Sequence, residues 1–411
     1  MSTVRFSSLY SDNLHYHNQR YSKLKARFEK HFRLSPDEFF SASGRTEVIG
    51  NHTDHNHGKV MAAAVNLDVI AAVSKTSDGI ITLKSEGYPF NTVDTSDLSV
   101  HGEETSHSNS LIRGICARFS QLGYNVGGFN AVTSSDVLKG SGLSSSAAFE
   151  VLVGTILNHL YNDGKISDVE IAKIAQYSEN VYFGKPSGLM DQMASSVGGF
   201  IKIDFEDTEK PIIEAIDFDI DEYEHALCII DTKGNHADLT PEYAAIPSEM
   251  KAVAEFFGKK VLREITKDDV IGKANDLRSK LGDRAVLRAL HFFDENERVE
   301  SLTDSIKSGD FNSFLNTIKL SGNSSYKYLQ NVFASSAPEE QGLSLALYLT
   351  DGLLNGEGAA RVHGGGFAGT IQAFVPKSKL SSFKEGIESV FGDGSCHVLN
   401  IRHVGGTKVI L

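Results

Sequence analysis

The stretch LKGSGLSSSAAFEVLVGTILNHLY, residues 138–161, decides the fold. Residues 138–148 are rich in glycine and serine, and the rest is apolar nearly all round up to the polar group at 162–164. This pattern predicts a loop that leads directly into a helix buried inside a domain. Small residues let backbone N–H groups approach an anion, and a helix N-terminus adds about half a positive charge. The segment predicts a phosphate-binding loop, although a serine-rich turn that only caps the helix is an alternative.

Length and composition favour a globular protein of two domains. With 411 residues the chain exceeds what one hydrophobic core usually organises, and 40% of it is apolar. Acidic residues outnumber basic ones by 53 to 40, and the net charge of −13 is spread along the chain, which argues against a nucleic-acid partner. Cys116, Cys228 and Cys396 form no CxxC pair, and neither a signal peptide nor a membrane span is evident. We therefore expect a cytoplasmic protein.

Helical and strand patterns alternate along the chain. Helices are predicted at 12–32, at 145–161 and from Ser167 onward, and strands at 60–74, 79–85, 200–204 and 225–231. Beyond Pro241 the pattern is helical up to about Leu354, and strands return at 370–376 and 396–404. The fold class is therefore α+β, with one domain at 1–205 and a second at 206–411.

Two further segments carry candidate functional residues. The loop GRTEVIGNHTDHNHG, 44–58, combines an arginine with an aspartate and three histidines, which suits a metal site, a polyol-binding loop or a solvated polar loop. The segment ENVYFGKPSGLMDQMASSVGG, 179–199, presents Glu179 and Asp191 around a tight loop. A carboxylate so placed suits a general base, a Mg²⁺ ligand or a simple helix cap.

The segment GGGFAG, 364–369, satisfies the dinucleotide-binding pattern G-x-G-x-x-G. That fingerprint requires a following helix, whereas the strand-like TIQAFVP comes next. The pattern therefore does not indicate a Rossmann fold. The phosphate loop likewise lacks the GK[ST] ending of a Walker A loop, so a P-loop fold is not implied.

Four segments in this order resemble the motifs of the galactokinases, which belong to the GHMP kinase family. The loop at 44–58 is similar to their signature loop, VLKGSGLSSSAA to their phosphate loop, GKPSGLMDQ to the catalytic aspartate segment and ARVHGGGFAGT to the third motif. Weaker similarity is found in SEGY at 85–88, HADLTPEY at 236–243 and RALHFFDENERV with SGDF at 288–311. The resemblance covers nearly the whole chain.

The resemblance implies a two-domain GHMP kinase architecture. The N-terminal domain would be an α/β domain of the ribosomal protein S5 domain 2-like type, and the C-terminal domain a ferredoxin-like α+β domain, with ligands in the cleft between them. The implied reaction transfers a phosphoryl group from ATP, with Mg²⁺, to the anomeric hydroxyl of a sugar. The expected partners are thus a sugar and ATP, with no nucleic acid, no membrane and no second subunit.

The resemblance also assigns roles to residues by position. Asp191 matches the catalytic aspartate, and Arg45 matches the arginine beside it. The matched sugar-contacting positions are Asn51, His52, Asp54, Gly188, Asp191 and Tyr243. The matched ATP-binding positions are Gly140, Ser141, Gly142, Leu143, Ser144, Ser145 and Ser146, and the matched Mg²⁺ ligands are Ser146 and Glu179.

The sugar loop departs from the galactokinase pattern. Asn51 stands where the family has Glu, and His55 stands where it has Tyr or Phe. The family's residues after Tyr243 are missing, and Ser108 lies near the place of a Trp that this chain lacks. We expect Asn51 at the C6 end of the sugar, where a neutral side chain tolerates a carboxylate better than Glu does. Galactose is the leading substrate, galacturonate or another C6-modified sugar is the alternative, and a non-catalytic sugar sensor is a third.

Overall fold

The computed structural model describes residues 2–10, 13–137, 142–185, 187–234 and 239–411. Within these ranges the strands are β1 (Ser2–Arg5), β2 (Glu38–Ile49), β3 (Lys59–Lys75), β4 (Ile80–Ser85), β5 (Phe90–Asp94), β6 (Phe129–Ser135), β7 (Phe200–Asp204), β8 (Ile212–Ile216), β9 (His225–Asp231), β10 (Ala359–Val362), β11 (Thr370–Pro376), β12 (Cys396–Leu399) and β13 (Thr407–Ile410). The α-helices are α1 (Phe6–Leu9), α2 (Leu14–Phe32), α3 (Ser108–Gln121), α4 (Ser145–Tyr161), α5 (Asp168–Tyr177), α6 (Met190–Val197), α7 (Thr240–Phe256), α8 (Lys267–Gly272), α9 (Ala274–Leu281), α10 (Asp283–Ser308), α11 (Phe311–Ser324), α12 (Gly342–Leu354) and α13 (Leu380–Phe391). Two π-helical turns, Ser178–Phe183 and Ser325–Leu329, follow α5 and α11.

The long strand β3 organises the first sheet. It pairs antiparallel with β2, with β6 over residues 69–75 and with β7 over residues 59–63. Nearly all of its residues are buried, because other elements cover both faces of its apolar run. Among the described strands the order is β1-β13-β2-β3-β6-β4-β5, while β7 pairs with β3 and with β8. The strands predicted at 60–74 and 79–85 are confirmed.

Helix α4 is the buried helix that the sequence predicts at 145–161. It contacts β2 and β3 of the sheet and also α3, α5 and α6. Residues around its whole circumference are buried between Ala147 and Asn158. Because neighbours cover it on every side, its N-terminus is held in a fixed position beside the first sheet.

The second sheet is antiparallel, with the order β10-β11-β9-β12. The chain runs from β9 through a helical region to β10 and β11, and then through α13 to β12. This β-α-β-β-α-β succession is that of a ferredoxin-like fold. The expected α+β class and the ferredoxin-like second part are therefore confirmed.

The two sheets share one hydrophobic core. Phe40 and Val65 of the first sheet belong to the same buried cluster as Leu227 and Phe374 of the second. The first sheet also includes β8 and β13, which both lie beyond residue 205. The division of the chain into 1–205 and 206–411 therefore stays a prediction, since the first sheet draws strands from both segments.

Among the described helices, none combines the length and the apolar composition that a transmembrane span requires.

Candidate active site

Arg45 and Asp191 form an ion pair between β2 and α6. Arg45 follows a register shift in the pairing of β2 with β3, and Asp191 lies in the first turn of α6. Both Nε and Nη2 of Arg45 lie 2.7 Å from Oδ1 of Asp191. The Arg45 side chain is 6% exposed, whereas that of Asp191 is 27% exposed. The pair therefore offers a carboxylate to a ligand while the guanidinium stays covered.

The neighbours of Asp191 keep it ionised. Burial alone would raise its pKa, but the charge of Arg45 and hydrogen bonds from Ser144 and Arg45 outweigh this effect, so the pKa is lowered. The Ser144 hydroxyl donates to Oδ2 of Asp191. An ionised, partly exposed carboxylate can accept a proton from a bound hydroxyl group.

The described part of the phosphate loop is attached to the same ion pair. Arg45 Nη1 donates to the carbonyl oxygen of Gly142, and the Arg45 backbone N–H donates to that of Leu143 at 3.1 Å. Gly142 has a φ of +69°, which a glycine adopts without strain. Gly140 and Ser141, two of the predicted ATP-binding residues, lie outside the described residues.

Glu179 lies in the π-helical turn after α5, and 2% of its side chain is exposed. Its Oε1 accepts hydrogen bonds from Ser146 Oγ at 3.3 Å and from Lys185 Nζ at 2.8 Å. Its Oε2 accepts from Ser187 Oγ at 2.6 Å and from Gln192 Nε2 at 2.8 Å. Carboxylate and hydroxyl oxygens are the ligands that Mg²⁺ prefers, and an ammonium group already lies where a cation would be attracted. The donor set of Ser146 and Glu179 therefore fits the expected cation.

Asp54 and Gly188 lie in direct contact. A Cβ atom on Gly188 would be 1.7 Å from Asp54 Oδ2, so a glycine is required for the carboxylate to fit. Burial and then the negative charge of Asp191 raise the pKa of Asp54 to about 6. Two of the expected sugar-binding residues thus lie close to the predicted base.

The hairpin between β10 and β11 contains the GGGFAG segment. A strand precedes and follows it, which agrees with the rejection of a dinucleotide-binding fingerprint. We call residues 363–366 the third-motif loop. A Cβ atom on Gly142 would be 2.9 Å from Nδ1 of His363, so this loop packs directly against the phosphate loop.

The third-motif loop also contacts two predicted sugar-binding residues. His52 Nε2 lies 3.0 Å from the carbonyl oxygen of Gly365, and the Tyr243 hydroxyl donates to that of Gly366 at 2.9 Å. Burial lowers the pKa of His52 to about 4, so its imidazole is neutral at pH 7. Each of the four predicted sugar-binding residues therefore contacts or belongs to one of two loops, the third-motif loop or the loop before α6: these residues are His52, Asp54, Gly188 and Tyr243.

The histidine loop is internally hydrogen-bonded. His55 Nε2 lies 3.4 Å from His52 Nδ1, and His55 Nδ1 lies 2.9 Å from Asn56 Nδ2. In the described part of the chain, no three His, Cys, Asp or Glu side chains converge as a metal cluster requires. That this loop does not hold zinc stays a prediction.

The side chain of Asn51 is fully buried. Its Nδ2 donates to Glu47 Oε1 at 2.9 Å and to the Gly364 carbonyl oxygen at 2.7 Å. Its Oδ1 accepts from Ser325 Oγ at 3.2 Å and from Asn331 Nδ2 at 2.8 Å. These contacts use both N–H donors and both lone pairs of the amide. That Asn51 lies at the C6 end of the sugar stays a prediction; in this structure its amide joins β2 to the third-motif loop and to the second π-helical turn.

Sequence reasoning missed Glu150, a carboxyl group inside α4. It is fully buried, its Oε2 accepts a hydrogen bond from Gln192 Nε2 at 3.1 Å, and its Oε1 has no partner among the described residues. Burial and then the negative charge of Glu179 raise the pKa of Glu150 well above its usual range. A single acidic residue within an otherwise apolar helix was the signal that could have revealed it.

A cavity of about 920 Å³ opens beside the start of α4. Ligand sites in proteins commonly have volumes of this order. Its lining includes Ser145 and Ser146 with Ser85, Ser108, Tyr16 and His17. The sequence did not predict that Tyr16 and His17 of α2 line this cavity, because the pattern of α2 indicates only an amphipathic surface helix.

Two family models match the chain. The one described as "GHMP kinases N terminal domain" matches residues 110–199, and the one described as "Galactokinase galactose-binding signature" matches residues 26–75. Galactokinase of Streptomyces coelicolor is 30% identical over 367 residues, which cover 89% of this chain and 91% of that protein. Galactokinase of Actinobacillus pleuropneumoniae serotype 5b is 30% identical over 374 residues, which cover 87% of this chain and 90% of that protein.

Solved structures share the fold. The crystal structure of Lactococcus lactis galactokinase complexed with galactose has a TM-score of 0.80 and 23% identity, covering 94% of this chain and 99% of that chain. Methanococcus jannaschii mevalonate kinase has a TM-score of 0.62 and 14% identity, covering 88% and 98%. The GHMP kinase fold is therefore confirmed. Because relatives of 30% identity match most of both chains, this protein belongs to the galactokinase family, the sugar kinases of the GHMP type.

Proposed function

We propose that the protein transfers the γ-phosphoryl group of ATP to the anomeric hydroxyl of galactose, giving galactose 1-phosphate and ADP. The observation that carries this proposal is the ionised, partly exposed carboxylate of Asp191, bound by buried Arg45 and by Ser144 of the phosphate loop. This arrangement puts a proton acceptor next to the loop expected to hold phosphate groups. The galactokinases among the relatives support galactose as the sugar.

In the proposed reaction Asp191 accepts the proton of the anomeric hydroxyl as the oxygen of that hydroxyl bonds to the γ-phosphorus, and the bond between this phosphorus and the bridging oxygen of ATP breaks to release ADP. Arg45 keeps Asp191 ionised and adds positive charge beside the transferring group. Asp54, His52 and Tyr243 would bind the sugar hydroxyls. Their contacts with Gly188 and with the third-motif loop support this role, because those loops adjoin the ion pair.

ATP would lie with its phosphates on the phosphate loop and its base in the cavity beside Ser145 and Ser146. Ser146 and Glu179 would hold Mg²⁺ through oxygen atoms. When bound, Mg²⁺ neutralises charge on the phosphates. The N-terminal end of α4 supports the phosphate site, since its backbone N–H groups favour an anion.

The sequence alternatives now have less support. Preference for galacturonate was argued from Asn51, whose amide is buried and fully hydrogen-bonded. A non-catalytic sugar sensor would not need the carboxylate of Asp191 to be ionised and paired with Arg45. Galactose phosphorylation is therefore the function that these contacts favour.

We further propose a monomeric protein of the cytoplasm, divided into domains near residue 205. The thiols of Cys116, Cys228 and Cys396, which form no disulfide, support a reducing compartment. Light scattering on the purified protein would test the monomer, and fractionation of the source cells would test the compartment.

The decisive experiment measures ADP release with galactose, galacturonate, N-acetylgalactosamine, glucose and arabinose, and locates the phosphate on the product by ³¹P NMR. We expect the highest kcat/KM for galactose and phosphate on C1. An Asp191→Asn variant purified in parallel shows whether a contaminating kinase is responsible. Equal rates with and without every sugar would contradict the proposal.

A further inference from the structure

Lys185 lies beside Glu179 in the loop between the first π-helical turn and α6. Its ammonium nitrogen is 2.8 Å from Glu179 Oε1, the same oxygen that accepts the hydrogen bond from Ser146. The Glu179 side chain is almost fully buried, whereas 57% of the Lys185 side chain is exposed. A cation from an exposed loop therefore reaches into the place expected for Mg²⁺.

Lys185 and a divalent cation cannot both occupy this position. An ion bound by Ser146 and Glu179 would approach Oε1, where the ammonium group of Lys185 now lies. Two cations that approach the same carboxylate oxygen repel each other strongly in a partly buried site. Lys185 must therefore leave Oε1 when the metal enters.

The phosphates of ATP need positive charge that Arg45 cannot fully supply. Its Nε and Nη2 are engaged by Asp191, and its Nη1 donates to the carbonyl oxygen of Gly142. Lys185 is close enough to Asp191 to be attracted by its charge. It also follows Gly184, which has a φ of +84°. A long, exposed side chain at this point can turn from Glu179 toward a phosphoryl group beside Asp191.

We infer that Lys185 neutralises Glu179 until ATP and its metal bind, and then contacts the phosphates of ATP. This inference rests on the proposed function. It makes Lys185 a catalytic residue of the transfer reaction and a competitor of the metal in the ligand-free protein.

The first test needs no turnover. Mn²⁺ binding to the full-length protein without ATP or sugar is measured by electron paramagnetic resonance for the parent, Lys185→Met and Lys185→Arg. Removing the competing charge leaves a buried carboxylate unpaired, so we expect Lys185→Met to bind Mn²⁺ about 10-fold more tightly. Lys185→Arg should stay within about threefold of the parent, because it keeps the charge. Lys165→Met, which removes an exposed lysine paired with Asp163, is the control.

The second test separates ATP from sugar. We expect Lys185→Met to lower kcat/KM for ATP by about 10- to 100-fold, since a cation that stabilises the transferring group is lost. The KM for the sugar should stay within about twofold of the parent, and Lys185→Arg should recover most of the activity. Circular dichroism verifies folding, with Lys185→Gln as the replacement if Lys185→Met is unfolded.

Either of two results overturns the inference: an unchanged affinity for Mn²⁺, or a kcat/KM for ATP within twofold of the parent. An inactive parent protein would contradict the proposed function instead. The Mn²⁺ measurement still reports on Lys185 in that case, because it involves no reaction.

Discussion

The two oxygens of the Asp191 carboxylate have different neighbours, Arg45 at Oδ1 and Ser144 at Oδ2. We predict that Asp191→Asn lowers kcat by about 10²- to 10⁴-fold, because the amide keeps the shape but cannot accept the proton. The affinity for ATP should stay within about threefold. Steady-state assays and calorimetric titration with ATP measure the two effects. A kcat within threefold of the parent would remove Asp191 from the mechanism.

Asn51 leads to a prediction about stability and not about substrate choice. In Asn51→Glu, a new buried carboxylate would face the Glu47 carboxylate and the Gly364 carbonyl oxygen, which now accept hydrogen bonds from the amide. We predict that the free energy of unfolding falls by about 3–5 kcal/mol, the usual cost of an uncompensated buried charge. Denaturant titration measures this loss.

The double variant Glu47→Gln, Asn51→Glu serves as the matched control. It removes the repulsion between two carboxylates, so it should recover part of the stability lost in Asn51→Glu. If Asn51→Glu is as stable as the parent and only changes the preference among sugars, Asn51 faces the substrate after all.

Asp191 and Asn51 differ in how far the sequence alone predicts their surroundings in the structure. Asp191 and Arg45 stand in short motifs whose chemistry can be recognised locally, and the structure brings them together. Asn51 also stands in such a motif, but Ser325 and Asn331, which donate hydrogen bonds to its Oδ1, lie 274 and 280 residues away in the chain. Its burial depends on these distant partners, which local spacing does not indicate.

At the scale of elements, the approach of Gly188 to Asp54 fixes the loop before α6 against the histidine loop. In Gly188→Ala the Cβ atom would lie 1.7 Å from Asp54 Oδ2, and the carboxylate must move. We predict a rise of about 10- to 100-fold in the KM for the sugar, because displacements of about 1 Å in a site have effects of this size. The KM for ATP should change less than threefold.

Gly102→Ala is the control for this prediction, since its Cβ atom would meet no atom within 4 Å and its φ is not positive. Initial rates over a range of sugar concentrations measure the effect. A Gly188→Ala variant with the parent's KM for the sugar would show that Asp54 does not bind the substrate.

Long apolar runs in the sequence predicted helices and strands correctly. Irregularities within helices could not be predicted in this way. The continuous apolar run at 145–161 became α4 with the predicted bounds, and TIQAFVP became β11. Helix α7 continues through Pro247, although a proline lacks the N–H that the helix requires at this position. The two π-helical turns carry Glu179 and Ser325, and no pattern of spacing distinguishes such a turn from an α-helix.

At the scale of the whole molecule, the two ends of the chain meet in the first sheet. β13 lies between β1 and β2, with Ser2 opposite Thr407. Near them Asp68 of β3 is fully buried and lies 2.7 Å from Arg20 of α2 and 3.1 Å from Arg402. These contacts join residues that lie far apart in the chain. The sequence therefore predicted the fold class of both parts, but not that β1 and β13 complete the first sheet.

The cluster of Asp68, Arg20 and Arg402 leads to a prediction about the stability of the whole molecule. Arg402→Met removes one of the two cations that bind the buried Asp68 carboxylate, so we predict a loss of about 1.5–3 kcal/mol in the free energy of unfolding at pH 7, the usual worth of a hydrogen bond to a charged group. The double variant with Asp68→Asn should recover part of that loss. Arg278→Met, in a pair with both side chains more than half exposed, is the control and should cost less than about 1 kcal/mol. A loss no larger than that of the control would show that the ion pair between Arg402 and Asp68 does not stabilise the fold.

The same cluster predicts how stability depends on acid. Burial would raise the pKa of Asp68, but the charges of Arg20 and Arg402 and hydrogen bonds from Ser41 and Tyr10 prevail and lower it to about 2. An unfolded aspartate titrates near pH 4, so the unfolded chain binds more protons between about pH 4 and pH 2. The stability that Asp68 contributes is therefore complete above about pH 4 and is lost as the pH falls toward 2. Denaturant midpoints measured across this range should fall more steeply in the parent than in Asp68→Asn, because the variant has no carboxylate to protonate at this position. Equal slopes would mean that the pKa of Asp68 is not lowered, and that its ion pairs with the two arginines contribute nothing to acid stability.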